Sequence, residues 1–399
     1  MLDSLVEKGI LTPSEASQIA KESAAPIILR PTTKSLKLGA KFQFQGEYLQ
    51  SEALSGTSAG AYASKTGFVF RRIIVDADAD VGGGWGAHFA VDFSRTQLNS
   101  LLLDNYAYKK IDGEYLNGKL QLGYKRAGFC FEEMTPMFSL RTIEISAAAQ
   151  YWTYSANGRR LGVGSRYAGA MWNGKVNQIE GLTYNLSITN SFQLSPCETP
   201  GLEYNFRQNS PAYWFGAKYE RKFGDVKLAA GGYSMYSDSA NQNMGLSNST
   251  PVYSVNPYLV GEWEGLYFFG EFLASGVSSG KTVGGVPTQA NPYGLTCLVE
   301  YRIDIGDYGK IAPVFRYCWL DTGGRGVRMG DIQRHATNVG TLYNNAQDFY
   351  AGLNWYIRGD DLKFMIGYSY ISLSGAAENR HSADVGEASA VRMQFQIRL

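Results

Sequence analysis

Val391-Arg392-Met393-Gln394-Phe395-Gln396-Ile397-Arg398-Leu399 puts an apolar residue at every odd position and a polar one at every even position. Successive side chains of a strand point to opposite faces, so this stretch has one face for hydrocarbon and one for water. Trp85, Ala87, Phe89, Val91 and Phe93 repeat the pattern against His88 and Asp92. About ten residues per stretch suits a tilted membrane-spanning strand. Some sixteen such stretches can be counted between Leu36 and Leu399.

A soluble antiparallel sheet alternates as well; the connectors decide against it. Seven brief turns carry Gly, Asp or Asn: Gly82 to Gly84, Ile111 to Gly118, Asn173 to Asn177, Phe223 to Asp225, Glu264 to Gly265, Gly306 to Gly309 and Arg358 to Asp361. Eight longer links interleave with them: Ser51 to Lys65, Arg95 to Leu101, Arg126 to Asn157, Gln193 to Ser210, Ser237 to Ser249, Gly276 to Ala290, Thr322 to Asn344 and Ser374 to Glu387. Strict alternation of short and long connectors predicts an all-β, 16-stranded antiparallel transmembrane β-barrel over residues 35–399, with periplasmic turns and extracellular loops. Its place is the bacterial outer membrane, among lipid and lipopolysaccharide.

Composition fits this reading. Tyr (27) and Trp (7) favour the two membrane interfaces. A mean hydropathy of -0.22, with no run approaching roughly 18 apolar residues, excludes a helical membrane protein. A net charge of +1 excludes a strongly basic nucleic-acid binder.

Residues 1–34 read differently. Thr12-Pro13-Ser14-Glu15 is a helix start, with Thr as N-cap and Pro at the first position, and the helix is expected to reach about Glu22. Ala24 to Thr33, holding Pro26 and Pro31, reads as a linker. This N-terminal periplasmic segment either helps oligomerise or plug the barrel, or is a simple tail. No basic n-region and apolar h-region follow Met1, so a mature exported chain with an added Met is expected.

The longest link, Arg126 to Asn157, is the third external loop. Phe129, Phe131, Met134, Met137, Phe138 and Leu140 make it too apolar to lie in water, so it is expected to fold inward and narrow the lumen. The charges around it are Lys125, Arg126, Arg141, Glu132, Glu133 and Glu144, three of each sign. On the strands, parity turns Arg72, Arg160, Arg166, Lys218, Arg302, Arg316, Arg392 and Arg398 inward, mixed with Asp76, Asp78, Asp80, Asp92, Glu220, Glu262 and Glu300. Such residues either set selectivity or merely solvate a water channel and pair across strands. Arg325, Arg328, Arg334 and His335 in an external loop either steer anions, contact lipopolysaccharide phosphates or lie solvated.

Cys297 is expected outward and Cys318 inward, too divergent to bond. Cys130 and Cys197, both in long loops, are either bridged or two free thiols; counting thiols in unreduced protein decides. Enzyme readings do poorly. Gly276-Val277-Ser278-Ser279-Gly280 matches a nucleophile-elbow spacing but lies in a Gly/Ser loop without the strand-turn-helix context. His88, His335 and His381 show no metal-ligand spacing, and no cofactor is expected.

Short motifs also resemble a known family: Phe70-Arg71-Arg72, Leu103-Asp104-Asn105-Tyr106-Ala107-Tyr108, Leu122-Gly123-Tyr124-Lys125-Arg126-Ala127-Gly128-Phe129 and Glu132-Glu133-Met134-Thr135. Further matches are Gly158-Arg159-Arg160-Leu161-Gly162-Val163, Gly352-Leu353-Asn354-Trp355-Tyr356 and Leu5-Val6-Glu7-Lys8-Gly9-Ile10-Leu11-Thr12. Together they resemble the phosphate-selective porin O/P family over nearly the whole chain. The resemblance implies a homotrimeric sixteen-stranded channel passing phosphate or other small anions past basic residues. Where the family usually has Gly-Gln-Phe-Lys this chain has Gly123-Tyr124-Lys125, so only Lys125 carries over as a pore-lining base. A general channel for small hydrophilic solutes and an anion channel both stay open, and the alternative is a structural or adhesive barrel acting through its loops.

Overall fold

The computed structural model describes residues 12–14, 33–55, 58–95, 101–155, 158, 161–191, 211–238, 251–277, 291–336, 342–376 and 385–399. Its first strands are β1 (Ser35–Ser55), β2 (Ser58–Gly82), β3 (Trp85–Asp92), β4 (Asn105–Asp112) and β5 (Leu116–Arg126). Then come β6 (Arg166–Val176), β7 (Leu182–Thr189), β8 (Ala212–Phe223), β9 (Val226–Ser237), β10 (Val252–Trp263) and β11 (Leu266–Val277). The last are β12 (Tyr293–Tyr301), β13 (Ile303–Asp304), β14 (Lys310–Asp321), β15 (Tyr343–Arg358), β16 (Leu362–Ala376) and β17 (Val385–Arg398). β12 and β13 are two pieces of one stave broken at Arg302, so the barrel has the sixteen staves expected.

Each stave pairs antiparallel with its chain neighbours, and β1 pairs with β17 to close the ring. Closure matters because an unpaired strand edge facing lipid would leave backbone polar groups without partners. At this seam Phe44 sits opposite Phe395 and Tyr48 opposite Val391, all exposed on the outer face. Between them Gln43 and Gln45 meet Gln396 and Gln394 inside, with amide bonds of 3.2 and 2.6 Å. The alternation of the terminal stretch is thus resolved into lipid outside and a hydrogen-bonded polar ladder inside. Beside the brief turns Trp85, Phe223, Trp263 and Tyr301 stand exposed, as an interfacial aromatic belt requires. Phe315, in the middle of β14, is 61 % exposed on this face. Phe315→Arg is expected to cost about 2–4 kcal/mol, read as a lower urea midpoint of unfolding from bilayers.

The structure revises some expected boundaries. Ser51 to Lys65 is no loop: β1 runs to Ser55 and β2 starts at Ser58, because the pairing register continues from Leu49↔Lys65 to Ser55↔Ser58. The turn expected at Asn173 to Asn177 begins where β6 ends, after Val176, since Lys175 still pairs with Thr183. Of the N-terminal segment only residues 12–14 and 33–34 are described, with Pro13 and Ser14 helical; the rest lies outside the described residues. No helix among the described residues is long and apolar enough to cross a membrane.

Candidate functional site: the lumen and its inner loop

The segment between β5 and β6 lies inside the barrel. It carries two helices, α1 (Phe131–Met134) and α2 (Ala147–Tyr154), and Phe129, Phe138, Ala147 to Ala149, Tyr151 and Trp152 are buried. All but Phe138 join one apolar cluster with Leu273, Cys318, Leu320, Ala346, Ile371 and Leu373 of the far wall, while Phe138 packs with Ile74, Ala90 and Leu103. The apolar character read from the sequence is satisfied by packing on the inner face of the barrel.

Polar groups fasten the loop along its length. α1 begins where Phe131 N–H donates to Glu271 Oε2 (2.9 Å) and to Asn256 Oδ1 (3.0 Å). At α2, Ser146 accepts from Ala149 N–H (3.2 Å), Asp348 accepts from Ala147 N–H (3.0 Å) and Cys318 Sγ from Ala148 N–H (3.3 Å). The orphan donors of the helix start are therefore taken up by the wall, and a carboxylate sits where the helix dipole favours one. Gly294 on β12 makes room for this contact: a Cβ there would lie 2.8 Å from Ala148 Cβ. Further along, Lys363 Nζ donates to Leu140 O (2.9 Å) and Asn354 Nδ2 to Arg141 O (2.8 Å).

Most of the expected site residues are locked into this scaffold. Arg316 bridges Asp348 (2.8 Å) and Glu132 (3.3 Å) and donates to Thr142 Oγ1 (3.1 Å), with all three charged side chains buried. Glu133 is buried and accepts from Ser165 N–H (2.7 Å), while Arg126 donates to Glu133 O. Arg166 pairs with Asp104 (2.6 Å). Arg141 pairs with Glu300 (3.0 Å) and lies 3.4 Å from the Tyr267 ring centre. Arg302 pairs with the same Glu300 (3.2 Å) and covers the Tyr356 ring. Arg392 pairs with Glu47, and Arg72, buried, donates to Gln43 Oε1. A β-bulge between Gln43 and Phe44 leaves Arg71 unmatched in the register. Arg71 reaches Glu144 (3.4 Å) of the inner loop. Lys125 lines the interior above the Tyr106 ring and donates to Gln121 Oε1 (2.8 Å). Arg160 lies outside the described residues.

Two expectations need correction. Arg325 and Arg334 do not face the exterior: residues 322–336, with helix α3 (Met329–Ile332), fold in against α2 and β17. Arg325 is 1 % exposed, and Arg334 pairs with Glu144 (2.8 Å), because Val327, Met329 and Ile332 enter the apolar cluster and carry the basic residues with them. Cys130 is a free thiol buried inside the barrel, its Sγ accepting from Glu133 N–H (3.5 Å). Its expected partner Cys197 lies outside the described residues. Cys297 is exposed and Cys318 buried, as parity requires.

Burial pushes the Glu132 and Glu133 carboxyls up. Burial also raises Glu144, but Arg334 and Arg71 outweigh it and hold this carboxyl well below the ordinary range. A carboxyl lowered on folding contributes stability above its unfolded value and loses it only as pH falls through the folded one. The clamp from Glu144 to Arg71 and Arg334 is therefore expected to persist through and below the ordinary carboxylate range near pH 4.5. Limited proteolysis of the folded barrel across that range should show the loop equally protected.

Open space remains on the other side of the loop. A cavity of about 720 Å³ lies between α1 and the wall of β4 to β10. Among the described residues Lys110, Lys119, Lys175 and Lys218 line it, against a single carboxylate, Asp112. Lys218 pairs with Glu220 (3.1 Å); among the described residues Lys110, Lys119 and Lys175 make no ion pair. Facing these lysines the loop presents Phe131, Met134, Thr135 and Pro136. Sequence reading found Lys218 by parity but missed the other three. Lys175 falls in a stretch that reads as a turn, and Lys110 and Lys119 flank one, although all three keep the parity of inward neighbours. Among the described residues no cluster of His, Cys, Asp or Glu is placed to hold a metal ion.

Comparison with known proteins agrees with this geometry. Residues 40–243 match the model of the family described as phosphate-selective porin O and P. Curated proteins give no match. Among solved structures, OmpF of Salmonella typhi is similar at 14 % identity and a TM-score of 0.56, covering 92 % of this chain and 99 % of its own. The anion-selective porin of Comamonas acidovorans is similar at 9 % identity and a TM-score of 0.53, covering 91 % and 99 %. The outer-membrane channel DcaP of Acinetobacter baumannii is similar at 11 % identity and 0.55, covering 91 % and 97 %. At these identities the solved structures speak for the barrel fold alone.

Proposed function

The chain belongs to the phosphate-selective porin O and P family, and from that membership and the lysine-lined chamber we propose a channel that favours small anions. An outer-membrane barrel of this family passes small solutes; the finer reading concerns charge and width. The single observation that carries it is the division of labour among the charges. The acidic residues of the inner loop, Glu132 and Glu133, are buried in contacts with Arg316 and Ser165. Lys110, Lys119 and Lys175 stay in the chamber without a carboxylate partner among the described residues. Ion-paired charges cancel at short range, whereas unpaired lysines on a narrow wall attract anions.

In this reading the inner loop narrows the passage and Lys125 extends the basic wall from the chamber toward Asp104 and Arg166. The narrowing leaves solutes to pass α1 and the wall of β4 to β10, since the far side is packed with side chains. Family membership favours the same preference. Assembly as a homotrimer and a periplasmic position for residues 1–34 belong to this proposal. Planar-bilayer recording tests it: discrete conductance steps with a chloride-side reversal potential are expected, and an electrically silent barrel would favour an adhesive role for the outer loops instead.

A further inference from the structure

The chamber has two unlike faces, and this contrast names a solute class more closely than charge alone. This inference rests on the anion reading above and deepens it. On the wall, Lys110, Lys119 and Lys175 supply cationic heads. Opposite them, α1 and the turn after it offer Phe131, Met134, Thr135 and Pro136, and among the described residues no charged side chain of the loop lines the cavity.

The rings on this side form a continuous row. Tyr233 stacks on Tyr258 with centres 5.5 Å apart, Tyr258 meets Phe131 at 4.5 Å, and Phe131 meets Phe269 at 5.2 Å. Within the row Tyr258 and Phe269 are buried, whereas Phe131 and Tyr233 keep part of their surface toward the cavity. The row continues into a second cavity of about 320 Å³ beyond Phe131, where Arg141 and Arg302 stand near Tyr267. For inorganic phosphate alone, the apolar part of this face supplies only desolvation, and the Thr135 hydroxyl beside it already donates to Phe131 O (2.9 Å). A flat ring covers such a face well, because ring on ring contact adds to simple area burial.

We propose that the chamber selects an organic anion with a flat apolar ring, its phosphate or carboxylate head on the lysines and its ring on Phe131 and Tyr233. The cavity of about 720 Å³ is within the size range that holds such a molecule. A solute entering head first meets the lysines on one side and slides its ring along the row on the other.

Phenyl phosphate and inorganic phosphate, added separately during single-channel recording in potassium chloride, test this. Phenyl phosphate is expected to interrupt the current at a concentration about tenfold lower than inorganic phosphate, the size of one added ring contact. Phe131→Leu keeps an apolar side chain but removes the ring, and should bring the two phosphates to within about twofold of each other. If that variant gives no channels, Tyr233→Leu serves the same purpose. Equal interruption by both phosphates in the unmodified channel, with a chloride-side reversal potential, overturns the ring inference while the anion reading stands. A wild-type preference retained in both variants also overturns it. A potassium-side reversal potential overturns both readings together.

Discussion

Replacing Arg316 by methionine is expected to lower the stability of the barrel by about 3–5 kcal/mol and to loosen the inner loop. Arg316 holds Glu132 at 3.3 Å and Asp348 at 2.8 Å, in a site where all three side chains are at most 5 % exposed. Deleting the guanidinium leaves two buried carboxylates facing each other without a cation. The same guanidinium also donates to Glu144 O (2.6 Å) and Thr142 Oγ1 (3.1 Å), so the loop loses its tie to β14 at the same moment. Neutralising the carboxylates together with the arginine, as Arg316→Met with Glu132→Gln and Asp348→Asn, should recover a large part of the loss, because no unpaired charge then remains buried. Urea unfolding from bilayers gives the stabilities, and bilayer recording should show noisier and larger conductance in the single variant. An Arg316→Met barrel as stable as the unmodified one, with unchanged current, would mean that this network does not anchor the loop.

The second large effect concerns selectivity. Changing Lys110, Lys119 and Lys175 to glutamate replaces the cationic wall by an anionic one without touching the buried network. These side chains line the open cavity and make no ion pair among the described residues, so their reversal strands no buried charge; it removes the contacts of Lys119 and Lys110 with the Tyr108 ring (3.7 and 5.8 Å). The expected consequence is a fall of the chloride-to-potassium permeability ratio by about tenfold or more, equivalent to ~1.4 kcal/mol or more between the two ions. By contrast, Arg166→Ala together with Asp104→Ala removes a pair whose charges already cancel and should move selectivity far less.

Much of the fold was legible because one physical rule, the two-sided pleat, acts residue by residue. Val391 to Leu399 shows it: exposed Val391, Met393 and Phe395 alternate with buried Arg392, Gln394 and Gln396. The apolar loop at Phe129 to Leu140 was legible for the same reason, since side chains that cannot lie in water need a surface, and the barrel interior supplied one. What the sequence could not disclose was which charges cancel. Glu132 and Glu133 look equivalent to any loop carboxylates until the fold brings Arg316 and Ser165 to them from other elements. The balance of three basic and three acidic groups around the loop therefore concealed a chamber with one dominant sign. Arg325 and Arg334 were misplaced for a related reason: Val327, Met329 and Ile332 beside them decide where the loop goes, and these bury against α2. Lys175 shows the cost of a misplaced boundary, since a turn drawn four residues early removed an inward lysine from the wall.

The reversal potential in a potassium chloride gradient tests the central claim most directly, measured on the unmodified channel and on the Lys110→Glu, Lys119→Glu, Lys175→Glu variant. The expected result is a potential on the chloride side for the unmodified channel and a shift to the potassium side for the variant. A potassium-side potential in the unmodified channel, or one that the three substitutions leave unmoved, would contradict the assignment of this wall as the selectivity element.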